Sequence, residues 1–368
     1  MKVLLVACSP GGGITTFFGY VYGHKAFEDV EGVLAAPGEA VAQYVGKYVK
    51  SATLRTLDLP KKPIKVIATL RDLVRSEKPD LIHSHGFRAG LLLEIARTGL
   101  PVPHLMTAHD VFLGVQFRGV RGKAQWLALN TVYRRVDKVH AVSEDCGENF
   151  RAFMPLVQRS KVQSILHGID TERFSSAEPI PIRQTVGLPD DAVVVGFFGR
   201  FMGQKGFRTL VDAIATLKSS GRLPDDFHVV TFGWGGFIRE DYAYVERRGL
   251  SDRFHQHPQT EQPETAIKAV DVVAMPSRWE ACGLLGMEVL AAGVPLVGTN
   301  CVGLREVLDG SPAKVMSPGD AEALATAILE LVPPNSKQPF EAYKEEAARR
   351  FDIDRAASAL RAVYEEMV

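Results

Sequence analysis

Two carboxylates and two cations in the second half of the chain have the spacing to grip a long, doubly charged ligand. Glu280 and Glu288 flank the run Ala281-Cys282-Gly283-Leu284-Leu285-Gly286-Met287. The apolar positions Leu284, Leu285, Met287 and Leu290 predict a helix beginning near Gly283. The unpaired N–H groups at such a start form an anion site without any further side chain. Glu288 would then lie about 7.5 Å along the axis beyond Gly283, at ~1.5 Å per residue. Carboxylates so separated suit the two ends of one ligand, with hydroxyls at Glu280 and Glu288 and a diphosphate between them. Spacing alone equally allows Glu288 as a surface residue and Glu280 as an acid favoured by the helix dipole.

A second signal precedes this one. The apolar run 193–198 ends at Gly199-Arg200, and Lys205-Gly206 opens a helical pattern. Two cations at the end of a strand, beside a helix start, can clamp phosphate oxygens and stabilise a leaving diphosphate. Removing one such donor typically costs ~10²–10³ in rate.

The first half offers Pro10-Gly11-Gly12-Gly13-Ile14-Thr15-Thr16 directly after its first apolar run. Glycines there let backbone approach a ligand. No Gly-Lys-Ser/Thr follows, and Thr16 stands where a dinucleotide fingerprint has its last glycine. The second strand ends in Ala35-Ala36-Pro37-Gly38, with no acid for a ribose, so a nicotinamide cofactor is disfavoured and none is expected. Thr107-Ala108-His109-Asp110 ends another strand. His109 could donate a hydrogen bond to a sugar hydroxyl, or stabilise developing positive charge through its carbonyl. His83-Ser84-His85 places two imidazoles on one strand face, but no acidic cluster completes a metal site, and none is expected. His255-Gln256-His257 reads as a strand end, and Asp352-Ile353-Asp354 as a helix start.

The elements that must hold these residues alternate along the chain. Strands are expected at residues 3–7, 32–35, 80–83, 103–107, 138–142 and 162–166, then at 193–198, 228–232, 271–275 and 295–298. Runs apolar on both faces, each followed by an amphipathic segment, signal parallel sheets. Phe207, Leu210, Val211, Ile214 and Leu217 mark one clear helix. Pro179, Pro181 and Pro189 interrupt the pattern over residues 175–191, which reads as the linker between two Rossmann-like domains. Ligands of such sheets sit outside the carboxyl ends of the strands.

Bulk properties narrow the classes. The 368 residues suit two domains, and 46% hydrophobic with 23% charged residues allows two buried cores. Lys+Arg and Asp+Glu balance at 43 each, which argues against nucleic acid as a partner. Four scattered cysteines fit reduced thiols. The first apolar run is too short for a signal segment and reads as a buried strand, so a cytoplasmic location is expected.

The combination resembles the GT-B glycosyltransferases, specifically glycosyltransferase family 4, the retaining "group 1" enzymes. The resemblance runs nearly end to end: Gly11–Gly13, His85-Gly86, Thr107–Asp110, Val142-Ser143-Glu144, His167-Gly168-Ile169-Asp170, Gly199-Arg200 with Lys205-Gly206, and Glu280-x7-Glu288. It implies two Rossmann-like domains facing across a cleft: residues 1–175 for the acceptor, 176–350 for a nucleotide sugar, and a last helix in 351–368 crossing back. It further implies that Gly12 and Gly13 line the donor site and that Arg200 and Lys205 bind the donor diphosphate. Gly283, Leu284 and Leu285 would hold phosphate through their amides, Glu288 the ribose, and Glu280 and His109 the donor sugar near the reacting carbon. Implied too is a metal-independent transfer of a hexose-type sugar from a UDP- or GDP-sugar, with retention, to a glycan or lipid-linked acceptor in bacterial surface polysaccharide synthesis. This chain has His167 where the family often has Asn, and Ala281-Cys282 where it often has Pro or Gly then Phe.

Between residues 116 and 138, Arg118, Arg121, Lys123, Arg134, Arg135 and Lys138 surround Phe117, Trp126, Leu127 and Leu129, opposed only by Asp137. This surface could meet an anionic membrane peripherally, or it could be an ordinary solvated basic face. Two other functions use similar parts: a sugar-nucleotide epimerase of the same architecture, and a non-catalytic nucleotide-sugar-binding protein.

Overall fold

Short runs of Val, Leu, Ile and Ala, apolar on both faces, build two all-parallel sheets. The computed structural model describes residues 1–8, 11–38, 54–257 and 260–368. The chain divides into one unit of Met1–Gly168 with Ile353–Val368, and a second of Ile169–Asp352.

The first unit contains β1 (Lys2–Ala7), β2 (Glu31–Ala36), β3 (Leu54–Asp58), β4 (Leu81–His85), β5 (His104–Ala108), β6 (Lys138–Ala141) and β7 (Val162–Ser164). They pair in the order β3-β2-β1-β4-β5-β6-β7. One face carries Val3, Leu5 and Ala7 against Phe17, Phe18, Tyr22 and the C-terminal helix Ile353–Met367, through Leu360, Val363 and Tyr364. The other carries Leu4, Val6 and Val33 against helices Pro63–Glu77 and Phe87–Ala96.

The second unit contains β8 (Val193–Phe198), β9 (Phe227–Phe232), β10 (Phe254–His257), β11 (Val272–Met275), β12 (Leu296–Thr299) and β13 (Lys314–Met316), in the order β10-β9-β8-β11-β12-β13. Helix Phe207–Ser219 buries Phe207, Leu210, Val211, Ile214 and Leu217, each such burial contributing about 1.5–3 kcal/mol. Helix Leu284–Ala292 is apolar nearly all round, with Glu288 its one charged residue. Such a helix belongs in a core.

Strand order reverses at β1/β4 in the first unit and at β8/β11 in the second. Each reversal opens a crevice beyond the strand ends.

The structure corrects the expected boundaries. The outgoing crossing falls at Gly168/Ile169, not at 175/176, and the return at Asp352/Ile353, not at 350/351. The two crossings are tied together: Ile169 N donates to the Phe351 carbonyl at 2.7 Å, and Ile169 forms a parallel bridge with Asp352. The proline-rich stretch is no free linker. Arg183 donates to the carbonyl of Ala192 and to Asp271, and Ile180 N to the Thr265 carbonyl, all in the second unit. Proline ended the periodicity there without ending the packing.

Candidate functional site

At the reversal in the second unit, three loops are drawn together by glycines. Gly206 follows β8 with φ 69°, and a Cβ on it would lie 1.9 Å from the Pro276 carbonyl oxygen, which follows β11. Gly303 follows β12 with φ 78°, and a Cβ there would lie 2.3 Å from the Glu280 carbonyl oxygen. Any side chain at either position would push the loops apart. Hydrogen bonds close the same contacts: Arg278 N donates to the Gln204 carbonyl at 2.8 Å, and Glu280 N to the Val302 carbonyl at 2.9 Å.

Those loops place Glu280. Its carboxylate is buried, and Oε1 accepts from Lys205 Nζ and from Ser277 Oγ, each at 2.7 Å. Lys205 and Glu280, expected to serve different parts of a ligand, thus form one ion pair. Arg200 is exposed at the end of β8, and no ion pair engages it among the described residues. Gly283 (φ 63°) caps the helix Leu284–Ala292 without a side-chain hydrogen bond, so Leu284 and Leu285 open the helix with amides unclaimed by any cap.

Glu288 lies one helical stretch beyond, partly buried. Burial pushes its carboxyl up to about 7; Arg173 and Lys205 pull it down, and Glu264 pushes it further up. Arg173 is itself paired with Glu264 at 2.7 Å. Neither was singled out in the sequence, because both act from short helices far along the chain. Ser277 and the exposed Trp234 and Phe237 were also missed. Gly233-Trp234-Gly235 follows β9, and its glycines were the available signal. A Cβ on Gly233 would lie 2.0 Å from the Gly199 carbonyl oxygen, and Phe201 N donates to the Trp234 carbonyl at 2.9 Å. Trp234 therefore stands beside Arg200.

In the first unit, the ends of β1, β4 and β5 converge. Gly12 takes φ 55° and caps the short helix Gly13–Phe17, whose Thr15 hydroxyl donates to the Gly12 carbonyl at 2.7 Å. A Cβ on Gly13 would meet nothing within 4 Å, so Gly13 is open to its surroundings. His109 follows β5, its ring edge-on to Phe17 with centroids 4.8 Å apart, and its Nε2 lies 3.0 Å from His85 Nδ1. Burial and the imidazoles of His85, His140 and His167 hold His109 well below the usual histidine range, so the ring is neutral. His83 and His85 do share one face, with ring centroids 4.2 Å apart. Asp352 caps the preceding helix Gln338–Phe351, and Asp354, in the first turn of the last helix, pairs with His24 and Lys25. Among the described residues no group of three or more His, Cys, Asp or Glu side chains could hold a metal ion.

The family model "Glycosyltransferase Family 4" matches residues 25–173, and "Glycosyl transferases group 1" matches residues 192–333. The chain belongs to glycosyltransferase family 4. It is 27% identical over 323 residues to a D-inositol 3-phosphate glycosyltransferase of Stackebrandtia nassauensis, covering 81% of this chain and 71% of the relative. It is 29% identical over 217 residues to the lipopolysaccharide core biosynthesis mannosyltransferase LpsB of Rhizobium meliloti, covering 55% and 60% respectively. The fold is that of Anabaena Alr3699/HepE, solved in complex with UDP and glucose, with a TM-score of 0.85 at 20% identity over 99% of both chains. Two parallel-sheet α/β units of this kind are the GT-B fold. As a family 4 member this chain is a glycosyltransferase, and the epimerase and binding-protein readings give way.

Proposed function

We propose that this family 4 glycosyltransferase moves a hexose-type sugar from a UDP-sugar to a glycan or lipid-linked acceptor, with retention of configuration and without a metal ion. The supporting observation is that Arg200 at the end of β8, Lys205 and the helix start at Gly283, Leu284 and Leu285 lie at the strand-order reversal of the second unit, and in this reading their positive charge meets the diphosphate. Those groups supply the neutralisation that a cation would otherwise bring. Within the second unit, Glu288 takes the ribose hydroxyls, Trp234 the face of the base and Glu280 the sugar hydroxyls; Gly12, Gly13 and His109 of the first unit are assigned to the donor by the family resemblance alone. The acceptor hydroxyl attacks the anomeric carbon on the face from which the diphosphate departs. The carbon–oxygen bond to phosphate breaks as the new glycosidic bond forms, and the acceptor proton passes to the departing phosphate oxygen. UDP is preferred over GDP because HepE is solved with UDP, and LpsB supports a bacterial surface glycan as product.

Calorimetric titration of UDP and GDP into the protein and into Arg200→Ala, with chelator present, tests this reading. One nucleoside diphosphate should bind, and the variant should lose about 10–100-fold, as expected for a charge-assisted contact. Binding that needs a divalent metal, or is indifferent to Arg200, would sink the proposal.

The same protein is proposed to rest on an anionic bilayer through helix Gly119–Tyr133 and the turn before it. Val115, Val120 and Leu127 are 60%, 86% and 55% exposed among Arg118, Arg121 and Lys123, which make no ion pair among the described residues. Trp126 is not part of that face, since its Nε1 donates inward to the Phe153 carbonyl at 2.7 Å. Arg135, Lys138 and Asp137 are likewise spent on Glu94, Glu366 and Arg97. No described helix is long and apolar enough to cross a membrane. Flotation should recover the protein with anionic vesicles and not with neutral ones; equal recovery would end the idea.

A further inference from the structure

Seven side chains of the first unit form a continuous hydrogen-bonded chain that ends at His109. From the far end, His140 Nε2 lies 3.4 Å from the Ile165 carbonyl oxygen, and His140 Nδ1 lies 3.0 Å from Thr107 Oγ1. Thr107 Oγ1 lies 2.6 Å from His83 Nε2, and His83 Nδ1 lies 2.6 Å from the Tyr364 hydroxyl. The Tyr364 hydroxyl lies 3.1 Å from that of Tyr22, which lies 2.9 Å from His85 Nε2. His85 Nδ1 then meets His109 Nε2 at 3.0 Å. His83, His85, Thr107, His140, Tyr22 and Tyr364 are all at most 5% exposed, so water cannot interrupt the sequence.

Protons in such a chain cannot be placed freely. A carbonyl only accepts; a neutral imidazole carries one donor and one acceptor; a hydroxyl carries one proton. Burial keeps the four imidazoles neutral, well below their ordinary value. Ile165 therefore requires the proton of His140 on Nε2, which makes His140 Nδ1 an acceptor. Thr107 must donate to it and so accepts from His83 Nε2. His83 Nδ1 is then an acceptor for Tyr364, Tyr364 accepts from Tyr22, and Tyr22 accepts from His85 Nε2. His85 Nδ1 is left to accept from His109 Nε2. Each of the seven contacts receives one proton from one of the seven side chains. Reversing Tyr22 toward His85 would leave two buried hydroxyl oxygens facing each other at 3.1 Å with no proton between them, an uncompensated cost.

We infer that this one-directional chain locks His109 in the Nε2-protonated tautomer, with Tyr22 as the positioning residue that carries the direction to it. His109 Nδ1, which has no hydrogen-bond partner among the described residues, is thereby an acceptor. It accepts a hydrogen bond from a hydroxyl of the bound sugar instead of donating one, as the sequence alone had allowed. This last step rests on the assignment of His109 to the sugar; the tautomer does not.

Two matched variants separate the cases. Each removes one buried phenol hydroxyl. In Tyr364→Phe, Tyr22 can donate directly to His83 Nδ1, 3.0 Å away, and the direction survives. In Tyr22→Phe the link is cut and His85 is free to turn either way. Nitrogen-15 NMR of the histidine-labelled full chain without ligand should show His109 protonated at Nε2 in the wild type and in Tyr364→Phe, and a mixture of tautomers in Tyr22→Phe. At comparable thermal stability, kcat should fall about 2–10-fold in Tyr22→Phe alone, the worth of one neutral hydrogen bond. A wild-type His109 protonated at Nδ1, or a Tyr22→Phe protein with an unchanged tautomer, overturns the inference. A mixed tautomer with undiminished kcat overturns the positioning role. Failure of every variant to bind a nucleotide would instead overturn the donor-site reading, leaving the NMR result intact.

Discussion

Lowering the pH from 8 to 6 should loosen the grip on UDP, and one protein side chain, Glu288, should account for a separable part of the loss. Its carboxyl is pushed up to about 7 by burial, against the opposing pull of Arg173 and Lys205 and with the push of Glu264. An ionised carboxylate accepts two ribose hydroxyls; a protonated one accepts less well and must give up its proton to bind in the same way. The competent fraction is about 0.9 at pH 8 and about 0.09 at pH 6, so the apparent Kd should rise roughly tenfold from this group alone. UDP itself takes up a proton near pH ~6, so the comparison must be with Glu288→Gln, which cannot ionise. By calorimetry, Glu288→Gln should bind about 10–100-fold more weakly than wild type at pH 8, and the two should converge toward pH 6. Stability should move oppositely. A carboxyl raised in the folded state holds its proton while the unfolded chain releases it, so folding is progressively disfavoured as pH rises from 4.5 to about 7. Glu288→Gln should therefore gain in Tm relative to wild type at pH 8 and not at pH 4.5. Parallel pH profiles of Kd for the two proteins would refute the role given to Glu288.

Gly206→Ala should lower Tm sharply and weaken UDP binding, because its Cβ would fall 1.9 Å from the Pro276 carbonyl at a φ of 69°. Gly13→Ala, which meets nothing within 4 Å, is the control, and equal Tm values for the two would contradict the cradle geometry. Trp234→Ala should weaken UDP by about tenfold, the worth of one base–aromatic stack, and leave inorganic pyrophosphate binding unchanged. Equal losses for both ligands would show that Trp234 shapes the loop rather than meeting the base.

The placement of the second unit's candidate residues was largely legible because its signals are local. A strand end followed within a few residues by a helix start locates Arg200 and Lys205, and Glu280-x7-Glu288 straddles one helix start. The pairing of Lys205 with Glu280 was not legible: 75 residues separate them, and only the adjacency of β8 and β11 brings them together. His83 and His85 followed from the two-residue period of a strand, but their partner Tyr364 lies 281 residues from His83. Strands β3 and β13 were missed for a different reason. Both are sheet edges, and Leu54-Arg55-Thr56-Leu57-Asp58 and Lys314-Val315-Met316 lack the doubly apolar run that marks an interior parallel strand.

The Lys205–Glu280 pair also changes which cation should be read as the ligand's. Lys205 is held at 2.7 Å by a carboxylate only 9% exposed, so much of its charge is already answered. Removing it leaves Glu280 buried with, among the described residues, only the Ser277 hydroxyl as a side-chain partner, at a cost of about 3 kcal/mol, toward the lower end for a broken buried pair because Lys205 itself is one-fifth exposed. Loss of activity in Lys205→Ala would therefore mix a displaced Glu280 with a lost phosphate contact. Arg200 has no such debt to the fold: it is exposed, and no ion pair holds it among the described residues. In the proposed donor site an incoming diphosphate would meet Arg200 and the amides beyond Gly283 first, and share Lys205 with Glu280 only once bound. Salt should accordingly weaken UDP binding less in Arg200→Ala than in the wild type, while Lys205→Ala should keep most of the wild-type salt dependence.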